Sequence, residues 1–273
     1  MSKEMIKRVS VAIIAIPAVL AIFYFGGYFL FGFVFVVSIL AIYELQDIFQ
    51  SQNYQIQKPL LIVGSFVVLA IFHQPRFSEV AIVFLLMPLI FGLCALFDRS
   101  GNPFFNLILT IFAFFYIVPT IGSMLLLRNL GDDWQILLVA VASVWVCDSM
   151  AQFSGISLGK HGFLRRISPK KSLEGFIGGI VGAFAFPLIL MQLAWGSSLV
   201  LQDAIAIGLI VGIFGQLGDY VESLLKRNFD VKDSSKLLPG HGGILDRFDS
   251  LIFVLPLMYF YFEFVKPMLE IWR

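Results

Sequence analysis

Charge is what this sequence lacks. Of its 273 residues only 14% are Asp, Glu, Lys or Arg, while 59% are apolar and 15% aromatic; a soluble domain carries about a quarter charged residues. That shortage excludes a water-soluble globular domain, and with a mean hydropathy of +0.91 the chain reads as an integral membrane protein. A net charge of +1 excludes a broad basic surface for nucleic acid, so any electrostatic message lies in how the charges are distributed. Cysteine is scarce as well: Cys94 and Cys147 both fall in apolar runs and no CxxC occurs, which excludes a disulfide framework and leaves two small core residues. Internal repeats, low-complexity tracts and a separate soluble domain are also missing. The opening MSKEMIKRVSVAIIAIPAVLAIFYF sets Lys3, Lys7 and Arg8 before an apolar run, but it lacks an A-x-A triplet and is followed at once by more apolar sequence. It reads as a retained first membrane helix and not as a cleaved signal.

What is abundant is long apolar segments. Nine approach the roughly 20 residues a helix needs to span a bilayer: about 9–25, 28–46, 59–73, 79–97, 104–127, 134–155, 174–195, 199–220 and 249–265, the third being short. An all-α polytopic membrane protein with about nine transmembrane helices follows. If the N-terminus is cytoplasmic, 15 of the 19 Lys and Arg fall on the cytoplasmic side, leaving Arg76, Arg128, Lys266 and Arg273 on the other. Ten of those fifteen lie in two loops, 156–173 and 221–248. Residues 1–133 therefore read as transmembrane scaffold, and 134–273 as the catalytic region, with its site at the cytoplasmic end of the C-terminal helices.

The acidic residues sit beside those loops. GQLGDYVESLLKR ends the eighth segment with Asp219 and Glu222 three apart, and LDRFDSLIF opens the ninth with Asp246 and Asp249 three apart; that spacing puts each pair on one helix face. Crowded carboxylates at 4 Å repel by about 4 kcal/mol per pair at an effective dielectric near 20. A cation would relieve this, and oxygen ligands without Cys or paired His point to a hard ion such as Mg²⁺ on Asp219, Asp246 and Asp249. Glu222 reads instead as an ordinary juxtamembrane ion-pair partner.

In GKHGFLRRISPKKSLEG, Ser168 and Pro169 have the look of an N-cap and first helical position, which would place Lys170 and Lys171 in the first turn of the seventh helix. Cations oppose the dipole there, and a bound anion would reverse that penalty. Lys160 and His161 are candidate phosphate contacts, while Arg165 and Arg166 also suit plain anchoring to headgroups. The PGHGG turn, Pro239 to Gly243, surrounds His241 with three glycines that permit close backbone approach to phosphate. Asp148 is the one acid deep within a span, a functional candidate by default. His73 reads as interfacial and inert. A divalent cation, several lysines and a glycine turn at a membrane face suit chemistry on a lipid's phosphate with a soluble phosphorylated co-substrate.

Two blocks carry a family resemblance. SLLKRNFDVKDSSKLLPGHGGILDRFD, Ser223 to Asp249, closely resembles the C-terminal motif of the phosphatidate cytidylyltransferases, or CDP-diacylglycerol synthases, and WVCDSMAQFSGISLGKHGFLRRISPKKSLEG resembles their upstream segment. Gln152 stands where the family commonly has Tyr, and Ser172-Leu173 where Thr-Trp is frequent. The resemblance implies transfer of a cytidylyl group from CTP to phosphatidic acid, giving CDP-diacylglycerol and pyrophosphate, with Mg²⁺ and often K⁺. It implies a homodimeric enzyme with a cavity open to cytoplasm and bilayer; separately, the absence of an organelle-targeting signal points to a bacterial-type inner membrane. It further implies catalytic roles for Asp219, Lys226, Lys232, Asp246 and Asp249. Substrate contacts would come from Asp148, Lys160, Ser168, Lys170, Lys171, Ser223, Arg227, Asp233, Lys236, Gly240, His241, Gly242, Gly243 and Arg247. A CTP-using lipid or polyprenol kinase shares most of these requirements. A transporter of a phosphorylated solute fits less well, because transporters bind near the midplane and these charges are peripheral.

Overall fold

The computed structural model describes residues 13, 16–75, 77–130, 134–193, 199–235 and 242–271. Among them the chain is helical with no β-strand; one isolated antiparallel bridge joins Gly162 and Ser172. The helices are α1 (Ile16–Phe25), α2 (Gly27–Gln50), α3 (Lys58–His73), α4 (Phe77–Ala95), α5 (Pro103–Arg128), α6 (Gln135–Leu158), α7 (Leu173–Gln192), α8 (Leu201–Asn228) and α9 (Leu245–Ile271). Each apolar segment of the sequence overlaps one of them, the first over 16–25 only, since most of 9–15 lies outside the described residues. Six, α2 and α5 to α9, are long and apolar enough to cross a membrane, whereas α1, α3 and α4 are shorter. The protein is a multi-pass membrane protein.

The chain divides into two compact units, residues 1–134 with 228–248, and residues 135–227 with 249–273. In the first, α5 packs against α2, α3 and α4, and α2 against α3. Apolar burial holds this unit: Phe91 and Phe114 are fully buried and their rings meet edge-on at 5.5 Å. The helix ends, which lose backbone partners, are closed by specific side chains. Arg128 donates to the carbonyls of Phe23 (3.0 Å) and Tyr24 (3.2 Å), closing the last turn of α1. Gly26 continues that closure at φ 59°, where a Cβ would press within 2.9 Å of the Arg128 guanidinium. Pro103 opens α5 behind Asn102, whose side chain accepts from Phe105 N–H. Between α4 and α5, Asp98 accepts from the Ser100 N–H (2.9 Å) and from Asn106 (3.1 Å), and these bonds hold its carboxyl below the usual range.

In the second unit α7 packs against α6 and α8. Two helices depart locally from α geometry, α8 over Ile210–Gly215 and α9 over Tyr261–Val265, each a π-helical turn. The second has a visible consequence. Residues five apart stack in a π turn, so Tyr261 and Lys266 both reach the fully buried Asp203, at 2.9 Å each, and Val200 N–H adds a third bond at 2.9 Å. Removing one member of a buried pair leaves the other uncompensated. Asp203→Ala is therefore expected to destabilise the protein by about 3 kcal/mol, read as a lowered melting temperature in detergent, and Asp203→Ala with Lys266→Met to recover part of the loss.

Two expectations are corrected here. Helix α7 begins at Leu173 and its N-cap is Ser172, which accepts from Gly175 N–H at 3.1 Å, not Ser168. Ser168-Pro169 instead forms a turn closed by Lys171 N–H on the Ser168 carbonyl (3.3 Å), with Pro169 in the position that its fixed φ favours. Lys170 and Lys171 therefore precede the helix and its first turn carries Glu174, so the dipole is not opposed. Asp148 does lie in the interior of α6, a candidate span, with its side chain on the exposed surface of the protein itself. Helix α8 also runs on to Asn228, so Lys226 and Arg227, expected in the loop 221–248, lie on the same helix as Glu222 and Ser223.

Candidate functional site

Two polar clusters, one in each unit, collect the residues singled out above. In the second unit, Asp219 and Glu222 lie three apart near the end of α8, and Asp249 lies in the second turn of α9. One carboxylate oxygen from each comes within 4.8 Å of the others. Gly218 makes the approach possible: a Cβ there would stand 2.7 Å from the Asp249 carbonyl oxygen. Glu222, read from sequence as an ordinary ion-pair partner, is 1% exposed and belongs to this cluster as well as pairing with Lys226 at 2.6 Å. Asp148 is near enough for its charge to be felt at Asp249.

Lysines answer these acids. Lys171 pairs with Asp219 and lies 4.3 Å above the centre of the Tyr220 ring, so a carboxylate and an aromatic face hold the ammonium together. Lys171 is delivered by a folded-back loop in which Phe163 N–H bonds Lys171 O (3.1 Å) and Leu173 N–H bonds His161 O (2.7 Å). The Phe163 ring packs tilted against Phe176 at 4.7 Å and edge-on against Tyr220 at 5.6 Å, which ties the loop to α7 and α8. Glu174 clasps the same loop, accepting from Lys160 N–H (3.1 Å) and pairing with His161 Nδ1 (2.6 Å). Ser223 lies 3.5 Å from Asp219, and Arg227 reaches the Ile167 carbonyl at 3.5 Å. Ser168 is half-buried in its turn; Lys160, Lys170 and Arg227 are exposed.

Asp246 does not enter the three-carboxylate group. In the first unit its Oδ2 accepts from Ser234 N–H (3.2 Å), Ser234 Oγ–H (3.0 Å) and Gly243 N–H (2.8 Å). Gly242, at φ 80°, shapes the return of the chain to that oxygen. Beside it stands a residue the sequence reading passed over. Glu44, on α2 and 3% exposed, accepts from Ser235 Oγ–H (2.6 Å) and Ile244 N–H (2.8 Å) at Oε1, and from Ser234 Oγ–H (2.9 Å) and Leu245 N–H (2.8 Å) at Oε2. Its signal, one acid inside an apolar segment, was visible in the sequence. Lys232, Asp233 and Arg247 are exposed, and Lys236, Gly240 and His241 lie outside the described residues.

Among the described residues three carboxylates are grouped here with Lys171 and Lys226 beside them, and the donors are all oxygen; that chemistry fits a hard divalent cation. Mg²⁺ or Mn²⁺ added to the detergent-solubilised protein is expected to raise its melting temperature. Asp249→Asn should abolish the shift while Asp98→Asn retains it; equal shifts in both variants would remove the cluster from consideration.

Comparison with known proteins places these residues in context. A family model described as "Cytidylyltransferase family" matches residues 6–265. The chain is 34% identical over 251 residues to a phosphatidate cytidylyltransferase of Staphylococcus aureus (strain COL), covering 92% of this chain and 96% of that protein. A phosphatidate cytidylyltransferase of Staphylococcus epidermidis is also 34% identical, over 255 residues with the same coverage. One from Staphylococcus saprophyticus is 46% identical over 138 residues, half of this chain.

Proposed function

Since the chain belongs to the cytidylyltransferase family, we propose that it transfers the cytidylyl group of CTP to phosphatidic acid, forming CDP-diacylglycerol and pyrophosphate. The observation that carries this reading is the grouping of Asp219, Glu222 and Asp249 with Lys171 and Lys226 at the polar end of two apolar helices. Anionic substrates need cations, and a lipid substrate needs the cations at a membrane edge.

The residues then divide the work. Mg²⁺ held by Asp219, Glu222 and Asp249 would neutralise charge on the CTP phosphates; K⁺ is a candidate second ion, and Asp246 is a separate candidate contact for cation or substrate. Lys171 and Lys226 are held by carboxylates and so kept at the site, ready to exchange those partners for phosphate oxygens. Exposed Lys160, Lys170 and Lys232 draw CTP and phosphatidate to the entrance. The phosphatidate oxygen forms its bond to the α-phosphorus of CTP as the bond from that phosphorus to the pyrophosphate oxygen breaks. No side chain need act as general base, because a phosphate monoester is already mostly ionised at neutral pH, its second pKa being about 6. The cytoplasmic placing of the site is supported by the 15 of 19 Lys and Arg that gather on one side when all nine segments cross. The homodimeric state rests on the family resemblance alone.

The test is a product analysis with labelled CTP, phosphatidic acid and Mg²⁺. CDP-diacylglycerol and pyrophosphate are expected in equal amounts, and Asp219→Asn is expected to lower kcat by about 100-fold or more. Release of CDP with a phosphorylated lipid would show a kinase and overturn the reading.

A further inference from the structure

The chain from Phe229 to Leu245 joins α8 to α9, and α2 grips it at both ends. At the entry, Ser51 Oγ–H donates to the Phe229 carbonyl (2.9 Å), Gln52 reaches Asp230 (3.3 Å), and the Phe229 ring lies 5.0 Å from that of Phe49. At the exit stands Glu44. Ile244 is the residue from which α9 starts, since its carbonyl accepts from Phe248 N–H at 3.2 Å. An Ile side chain has no acceptor with which to cap the helix it begins. Glu44 supplies the cap from 200 residues away, binding the N–H groups of Ile244 and Leu245 at 2.8 Å each.

We infer that Glu44 is a positioning residue for the reaction, fixing the start of α9 and the Ser234–Ser235 segment so that Asp246 presents its carboxylate at a set height and rotation. Its chemical consequence rests on the function proposed above; its structural content does not. Both oxygens of Glu44 are spent on donors, one backbone N–H and one hydroxyl each. Ser234 also links it to the acidic side: its Oγ stands 2.9 Å from Glu44 and 3.0 Å from Asp246, and its single proton can be given to only one of them at a time. A Gln at this position would set an amide NH2 against the Ile244 or Leu245 N–H, whichever way the amide is oriented, and so undo one of the two backbone bonds with almost no change in volume, while the facing hydroxyl can turn to accept.

The experiment compares wild type, Glu44→Gln, Glu44→Ala and Glu44→Asp by hydrogen exchange and by kinetics with CTP, phosphatidic acid and Mg²⁺. In Glu44→Gln and Glu44→Ala, amides of a peptide covering 242–250 are expected to exchange about 10- to 100-fold faster, with α3 to α5 unchanged. The same two variants should lose about 100-fold in kcat with little change in the KM for CTP. Glu44→Asp, which keeps both acceptor oxygens, should restore part of each effect. If Glu44→Gln and Glu44→Ala do not fold, Ser235→Ala removes a single donor and should give a smaller acceleration in the same peptide. Unchanged exchange in 242–250, acceleration spread evenly through the helices, or wild-type kcat in Glu44→Ala would overturn the inference. A wild type that makes no CDP-diacylglycerol would overturn the proposed function, while the exchange data would still decide the role of Glu44.

Discussion

Asp219, Glu222 and Asp249 repel one another. With oxygens within 4.8 Å, each pair costs about 3–4 kcal/mol at an effective dielectric near 20, and nothing in an apolar helix compensates for that. The structure tolerates the arrangement by setting ammonium groups among the acids, Lys171 from the loop before α7 and Lys226 one turn along α8 from Glu222. The surrounding local structure serves this balance. The back-folded loop delivers Lys171, Tyr220 seats it, Phe163 locks the loop, and Gly218 gives up a side chain so that α9 can pass close to Asp219.

In the proposed reaction the same charges would supply the chemistry. Carboxylates and ammoniums that hold one another in place are also groups a nucleotide can displace, since phosphate oxygens can take over the lysines and a divalent cation can take over the acids. The membership of the cytidylyltransferase family fits this arrangement, because such an enzyme must hold a triphosphate and a lipid phosphate together without letting their charges force them apart.

The helices were legible because lipid imposes a strong rule: backbone polar groups must be satisfied internally, so long apolar segments become helices. Each expected segment overlaps one, although only six are long enough by length and composition to cross a membrane. Errors gathered at ends and loops, where local chemistry decides. Ser168-Pro169 has the residue types of a helix start, but so does a turn, and Ser172 lies better placed to accept from Gly175. Glu222 sits four residues before Lys226, the spacing of an ordinary surface pair, and only the fold shows that it also faces Asp219 and Asp249. Glu44 was passed over because its partners lie about 200 residues away, and no local pattern announces a cap supplied from another helix.

The account turns on whether those three carboxylates act as one cation site, and Glu222 is the member that only the structure supplied. The most direct measurement is the Mg²⁺ concentration giving half-maximal turnover in Glu222→Gln. A rise of about 10-fold or more over wild type, with the CTP requirement little changed, is the predicted result. An unchanged Mg²⁺ requirement would contradict the three-carboxylate site.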